Sequence, residues 1–159
     1  MNRRTLIALL ALAPTASLAQ ESEPTGPQPE LPKQKLTVVG KDGARHDFEV
    51  EVATTIAEQQ TGEMFRKSVP PAGGMLFVWP AAQVSDMWMK NTLVPLDMVF
   101  IQADRTISRI VEDTVPQSLR IVESGGPVRA TLELAGGTTA RLGITVGDKV
   151  LAPALGDAG

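Results

Sequence analysis

A short stretch near the middle of the chain combines side chains of several chemical types. Residues 87–92 read Met-Trp-Met-Lys-Asn-Thr, and a carboxylate follows at Asp97. An aromatic ring, a cation, an amide, a hydroxyl and a carboxylate therefore lie close together between two apolar runs. Alternate side chains of a strand lie on opposite faces, so Trp88 and Lys90 would share one face if the stretch is a strand. We interpret the stretch as a candidate site that buries or binds a polar group.

The cation and the carboxylate of this stretch are expected to approach each other. If residues 88–100 fold back as two strands around residues 92–94, Lys90 and Asp97 lie within pairing distance across the hairpin. The sequence therefore predicts an ion pair at this position.

Two interpretations of this pair stay open. In the first, the pair is structural, and Asn91 and Thr92 cap the turn through its backbone, as these residue types readily do. In the second, Lys90 and Arg66 offer positive charge to an anionic ligand, and Asp97 orients them. Arg66 follows a predicted helix, so it could instead bind the last carbonyls of that helix.

The carboxylates also raise the question of acid and base catalysis. Hydrolysis of a glycosidic bond needs two carboxyls at a defined separation, and Asp97 could act with Glu133, Glu112 or Asp86. A surface or salt-bridged role is commoner for any one acid. A serine triad is set aside because the only histidine is His46 and the chain has no Gly-x-Ser-x-Gly motif. Whether the protein is an enzyme stays open at this point.

The residues that could bind a metal are few. The chain has no cysteine, which excludes thiolate ligands and disulfides. Methionine thioethers beside Trp88 could bind a cuprous ion, although methionine in apolar runs is usually core filler. We expect neither a metal nor a cofactor and keep a copper binder as a minor alternative. The methionines in question are Met64, Met75, Met87, Met89 and Met98.

The N-terminus has the pattern of a secretory signal peptide. Arg3 and Arg4 precede an apolar run over residues 5–13, and small residues stand before a cleavage site after Ala19. We therefore expect residues 1–19 to be removed and the protein to be periplasmic or secreted, without stable membrane insertion. The remaining chain has a net charge of −5, which argues against nucleic-acid binding.

The rest of the chain divides into a linker, a domain and a tail. Residues 20–34 are rich in proline and glutamate and predict a disordered linker. Residues 35–153 are long enough for a single domain with one core. Residues 154–159 are expected to form a flexible tail. The oligomeric state is left open.

The pattern of elements within the domain predicts an all-β fold. Many short strands with Gly and Pro between them are typical of a compact sandwich or barrel. Thr55 and Glu58 form a capping-box pattern, which predicts one short helix near residues 55–62. Hairpins are expected around the Asp42-Gly43 turn and around residues 102–105. Further strands are expected at residues 75–79, 84–90, 128–134 and 149–151, and one helical turn at residues 138–142.

Several motifs of the domain recur in a known protein family. They are Gly62-Glu63-Met64-Phe65-Arg66, Gly74-Met75-Leu76-Phe77-Val78, Trp88-Met89-Lys90-Asn91-Thr92, Pro95-Leu96-Asp97, residues 128–134 with Glu133, and Gly143-Ile144 followed by Gly147-Asp148. Over about residues 50–150 the chain resembles the bacterial and archaeal family called domain of unknown function 192. The resemblance implies a compact all-β domain, often exported, and it implies no settled activity.

Two positions depart from the pattern of that family. Glu63 stands where an apolar residue is usual, and Met87 stands where an aromatic one is common. Both departures are tolerable on a helix surface or a strand face, and they weaken the case that these two positions belong to a shared site.

The function favoured at this point is the binding of a small polar or anionic ligand, or a carbohydrate. A Trp ring beside amide and carboxylate groups offers the apolar contact and directional hydrogen bonds that a sugar requires. The alternatives are a hydrolase that uses Asp97 as acid or base and a structural or assembly factor. The predicted ligand-binding residues are Arg66, Trp88, Lys90, Asn91, Asp97 and Glu133.

Overall fold

The computed structural model describes residues 23–156, so the predicted signal peptide and the end of the predicted tail lie outside the described residues. Within that range no helix is long and apolar enough to cross a membrane. The described elements are β1 (Lys33–Val39), β2 (Arg45–Ala53), α1 (Ile56–Thr61), β3 (Gly73–Met87), β4 (Leu96–Ile101), β5 (Ile107–Val111), β6 (Val122–Ala135), α2 (Thr138–Leu142), β7 (Lys149–Leu151) and a final 3-10 helix (Pro153–Leu155).

The seven strands form one curled sheet in the order β5-β4-β6-β3-β2-β1-β7. All neighbouring strands are antiparallel except β2 and β3, which are parallel and are joined through α1. An antiparallel bridge between Thr106 and Lys149 links the two ends of the sheet. The predicted all-β, barrel-like fold is therefore confirmed.

Most of the local predictions are confirmed. The first two strands form the expected hairpin, and β4 and β5 form the second one. Helix α1 begins after Thr55, whose side chain accepts the backbone N–H of Glu58, while the Glu58 carboxylate accepts the backbone N–H of Thr55. The helical turn α2 and the closing strand β7 also lie where they were expected.

The predicted hairpin over residues 88–100 is wrong. Strand β3 ends at Met87, residues 88–95 form a loop, and β4 pairs with β5 and β6. The loop satisfies its backbone groups elsewhere, because the N–H of Met89 donates to the carbonyl of Ser118 at 3.0 Å. A distant segment therefore replaces the neighbouring strand that a hairpin would supply.

Both faces of the sheet are buried under apolar side chains. Alternation along β3 places Leu76 in one core and Met75 and Phe77 in the other. Along β4, Val99 belongs to the first core and Met98 to the second. The second core is the one that underlies the candidate site.

The segment predicted as a disordered linker packs against the domain where it is described. The Gln28 side-chain amide donates to the carbonyls of Glu58 and Gly62 at 3.1 and 3.0 Å. The Leu31 N–H donates to the Glu51 carboxylate at 2.7 Å. Strand β1 already begins at Lys33, so the expected domain boundary at residue 35 is two residues late.

The start of the predicted tail is also ordered. Residues 154 and 155 belong to the 3-10 helix, and the N–H of Ala154 donates to the Gln34 side chain at 3.1 Å. Residues 154 and 155 therefore pack against the domain.

Candidate functional site

A cavity of about 500 Å³ lies over the second core, between α1, strand β3 and the loop of residues 88–95. Phe77 and Trp79 of β3 are on the same face of the sheet and form one wall. Their ring centroids are 6.1 Å apart with an angle of 30° between the planes. The indole Nε1 of Trp79 is buried and has no hydrogen-bond partner within the described residues. The wall therefore offers an aromatic surface and one unused donor.

Glu63 lies in the cavity at the end of α1. The preceding residue, Gly62, has a φ of 48°, and a Cβ at that position would lie 2.9 Å from the Phe77 ring. Only glycine avoids this clash, so Gly62 lets the end of α1 approach the aromatic wall. The Glu63 side chain is 3% exposed, and its Oε2 has no hydrogen bond within residues 23–156.

The environment of Glu63 changes its acidity. Burial raises the pKa of Glu63 to about 7, because desolvation disfavours the charged form. The charge of Arg66 opposes this shift, and the charge of Glu51 adds to it. The Arg66 Nε lies 3.4 Å from Oε2 of Glu63. Glu63 is thus poised to gain or lose a proton near neutral pH.

A second carboxyl, Glu133, lines the same cavity from β6. It pairs in register with Met75 of β3 and with Met98 of β4, and it is 4% exposed. Burial raises the pKa of Glu133 well above its ordinary value, and the Glu63 charge raises it further while Arg66 opposes it. No residue within 23–156 donates a hydrogen bond to this carboxyl. Burial therefore favours the neutral form of Glu133.

Arg66 lies behind Glu63 and does not line the cavity. Its Nη1 and Nη2 donate to the two oxygens of Glu51 at 2.5 and 2.9 Å. Burial acts to raise the pKa of Glu51, but the hydrogen bonds from Arg66 and from the Leu31 N–H outweigh it and lower the pKa. Because this pair uses the planar end of the guanidinium, Arg66 is not free to bind an anionic ligand as predicted.

The loop of residues 88–95 forms the rim of the cavity. Trp88 is 44% exposed, and the Lys90 ammonium lies 5.1 Å from its ring centroid. Lys90 forms an ion pair with Glu23. Asn91 has a φ of 55°, and its carbonyl accepts the N–H of Phe65 at 2.8 Å. The loop thereby joins the segment that carries Glu63.

Asp97 lies outside the cavity, and its predicted ion pair with Lys90 is wrong. It is completely buried and accepts the backbone N–H groups of Asp113, Gly137 and Thr139 at 2.8–3.0 Å. The Thr139 hydroxyl also donates to it at 2.8 Å. Asp97 anchors α2 and the segment after β5 to β4. Its oxygens are occupied, so the geometry does not support a role as acid or base.

The cavity therefore contains part of the predicted set and three residues that were missed. Trp88, Lys90, Asn91 and Glu133 line it, whereas Arg66 and Asp97 do not. Glu63, Phe77 and Trp79 were not predicted. Glu63 and Met87, the two positions that depart from the family pattern, both line the cavity. The sequence did contain one indication of Glu63, because this carboxylate stands at a position where an apolar residue is usual, and acidic residues are rarely buried without a partner.

The methionines are divided between the cavity and the core below it. Met64 and Met87 line the cavity, Met75 and Met98 are completely buried in the second core, and Met89 is 1% exposed. Within residues 23–156 no group of three or more His, Asp or Glu side chains is placed to bind a metal.

The comparison with family models places residues 37–152 in domain of unknown function 192, described as an uncharacterized ACR. The chain belongs to this family of compact all-β domains. No match was found among curated proteins.

Two crystal structures are similar to the chain. A Sinorhizobium meliloti 1021 protein, provisionally named a transcription regulator, is 38% identical with a TM-score of 0.78. That alignment covers 80% of this chain and 98% of the other. A protein of unknown function from Novosphingobium aromaticivorans DSM 12444 is 41% identical with a TM-score of 0.74, covering 76% of this chain and 86% of the other. Both share the fold, and neither supplies an activity.

Proposed function

We propose that this protein is an exported single-domain binding protein whose cavity takes a small polar ligand of the carbohydrate type. The observation that carries the proposal is the presence of two unpartnered buried polar atoms on residues of one cavity. They are the Nε1 of Trp79, a donor, and the Oε2 of Glu63, an acceptor that makes no hydrogen bond within the described residues and has only the 3.4 Å ion pair with Arg66.

Unpartnered buried groups are costly, by about 1–3 kcal/mol each, and native folds rarely keep them without a reason. A ligand that accepts from Trp79 and donates to Glu63 would recover this free energy on binding. A sugar hydroxyl does both, because its oxygen accepts one hydrogen bond and donates another.

The aromatic residues support the same class of ligand. Phe77 and Trp79 form a wall, and Trp88 is half-exposed at the rim. Aromatic faces contact the apolar C–H surface of a sugar ring, while polar groups at its edge fix its orientation. The volume of about 500 Å³ lies within the range of small-molecule sites.

An anionic ligand is disfavoured by the charges at the cavity. Four acidic residues line it, and the only cation that lines it among the described residues, Lys90, is paired with one of them, Glu23. Arg66, which we expected to bind an anion, is bound to Glu51. Of the ligands expected from the sequence, a carbohydrate or another polar molecule without negative charge is the one we retain.

The proposal of export depends on the sequence of residues 1–19. The two arginines, the apolar run and the small residues before the cleavage site are the features of a secretory signal. An extracytoplasmic protein would meet sugars and other small solutes directly.

Indole N–H signals offer a direct test, because the chain contains only two tryptophans. In a 15N-labelled sample, titration with a panel of neutral sugars is expected to shift the Trp79 indole signal. The same sugar should raise the melting temperature, since it binds only the folded chain. Trp79→Phe keeps an aromatic wall without the donor and should weaken binding about tenfold. A panel in which no sugar shifts the Trp79 signal would overturn the proposal.

A further inference from the structure

We propose that the ligand of this cavity carries a basic nitrogen, which binds at the Glu63 and Glu133 carboxyls beside the aromatic wall. The inference rests on the proposed function and narrows it to amino sugars and related amines. It follows from the charges, hydrogen bonds and aromatic surfaces around the two carboxyls.

The acidic groups around these two carboxyls outnumber the cationic ones. Three acids, Glu51, Glu63 and Glu133, surround the single guanidinium of Arg66. Arg66 uses both terminal nitrogens on Glu51, and only its Nε faces Glu63, at 3.4 Å. Glu133 has no ion pair within the described residues. One cation is therefore missing if both cavity carboxyls are to be charged.

The other charged groups at the cavity do not supply that cation. Lys90 lies on the rim, where it pairs with Glu23 and contacts the Trp88 ring. The remaining charged residue that lines the cavity, Asp86, is also acidic. Among the described residues that line the cavity, acidic side chains thus outnumber the single cation, Lys90. An ammonium group on the ligand would balance this charge.

The walls suit an ammonium group as well as a sugar ring. Aromatic faces attract cations, and this attraction strengthens when the site is desolvated. Phe77 and Trp79 stand beside the carboxyls, and the Trp79 N–H remains available for a hydroxyl or ring oxygen of the ligand. An ammonium donates three hydrogen bonds, which matches a cavity whose carboxyls lack donors. A molecule with an amine next to oxygen acceptors uses both kinds of partner.

Binding of a cation should be coupled to proton release. Burial raises the pKa of Glu63 to about 7 and raises that of Glu133 well above its ordinary value, so both carboxyls of the empty cavity favour the protonated form more than exposed carboxyls do. The groups that face the pair are Arg66 and Glu51 behind it and Lys90, Asp86 and Glu23 around the cavity. A bound ammonium lowers the pKa of both carboxyls and displaces protons.

Glucosamine and N-acetylglucosamine are suitable probes, because acetylation removes the charge and leaves the ring. Calorimetric titration of the full mature chain near pH 7 should show at least about tenfold tighter binding of glucosamine. The binding enthalpy should differ between phosphate and Tris buffers, which reveals the released protons. Glu63→Gln should lower glucosamine affinity about tenfold and change N-acetylglucosamine affinity less than about twofold. The matched control is Glu112→Gln, because Glu112 is an exposed carboxylate outside the cavity. This variant should change the affinity for neither sugar.

Each outcome has a defined meaning. Tighter glucosamine binding that is lost in Glu63→Gln and kept in Glu112→Gln supports the inference. Equal binding of the two sugars, with a shifted Trp79 signal, overturns the inference and leaves the proposed carbohydrate site in place. Binding of neither sugar overturns the inference, and it overturns the proposed function as well if no neutral sugar shifts the Trp79 signal.

Discussion

Buried carboxyls in this protein differ by the donors that surround them. Asp97 accepts four hydrogen bonds from three backbone N–H groups and one hydroxyl. Glu63 and Glu133 are also buried. Within the described residues their only ion pair is the one that Glu63 forms with Arg66 at 3.4 Å. Because desolvation of a charge must be compensated by donors, Asp97 serves the fold and the two glutamates cost it stability. Residues that cost stability in a cavity are candidates for function.

Glu63→Gln should stabilise the folded chain at alkaline pH. The pKa of Glu63 is about 7 in the folded chain against 4.5 ordinarily, so the folded state binds the proton more tightly. The stability linked to that proton is complete below about pH 4.5 and is lost as the pH rises through about 7. At about pH 8 the variant should exceed the wild type by up to about 3 kcal/mol in free energy of unfolding. Urea denaturation at about pH 5 and pH 8 measures this.

The wild type provides the internal control for this measurement. Its free energy of unfolding should fall between about pH 5 and pH 8, and the fall should be smaller in Glu63→Gln. Equal pH dependence in the two proteins would contradict the assignment of a raised pKa to Glu63.

Asp97→Asn should destabilise the fold by roughly 3 kcal/mol, because an amide nitrogen replaces one oxygen that accepts two hydrogen bonds. Lys90→Met, on the rim, should change the free energy of unfolding by less than about 1 kcal/mol. Since Lys90 and Asp97 form no pair, the double variant should equal the sum of the two within about 0.5 kcal/mol. Denaturant melts of the three variants measure the coupling. A large coupling would show that the two side chains interact.

The segment before β1 packs against the domain, although its composition is typical of a disordered linker. Gln28 donates to the carbonyls of Glu58 and Gly62, which are last-turn acceptors of α1, and Leu31 binds Glu51. Leu31 also packs against the second core. Proline-rich sequence excludes a helix here, but an extended segment can still dock through a few specific contacts.

A chain that begins at Lys33 should be less stable than one that begins at Glu23. The shorter chain loses the hydrogen bonds of Gln28 and Leu31 and the burial of the Leu31 side chain, which together should cost about 2–4 kcal/mol. Thermal melts of the two truncations compare them directly. Gln28→Ala in the longer chain isolates the contribution of the α1 contacts. Equal melting temperatures would show that the segment is the dispensable linker expected from its composition.

The whole molecule is a single curled sheet that buries both of its faces. One core lies on one face, and the other face carries the second core with the cavity above it. The second face is shielded from solvent by elements that pack over it, namely α1 and the loop of residues 88–95. The cavity exists because this cover leaves a gap over Phe77, Trp79 and Glu133.

The proposed export can be tested on the whole chain. We expect the protein recovered from outside the cytoplasm to begin at Gln20, because small residues precede the site after Ala19. Intact-mass measurement of the exported protein identifies its N-terminus. Ala19→Arg should block cleavage and serves as the control. A protein that keeps Met1 and stays with the membrane would contradict the expectation.

Local features of the sequence were sufficient for much of the fold. The Thr55 and Glu58 capping box, the Asp42-Gly43 turn and the period of two along β6 each depend on residues a few positions apart. The motif block that includes Trp88, Lys90 and Asn91 also lies in the loop that borders the cavity. Such features were predictable because their physical cause lies within a few residues of chain.

Tertiary structure alone decided the pairing of strands and the contents of the cavity. The parallel pairing of β2 with β3 leaves β4 to pair with β5 and β6, and this separates Asp97 from Lys90. Glu63 and Glu133 are 70 positions apart in the sequence and meet only because α1 and β6 both pack on β3. Their raised pKa values follow from burial, and burial is set by residues distant in sequence. No local pattern carries that information, so the candidate site could be assembled only from the folded chain.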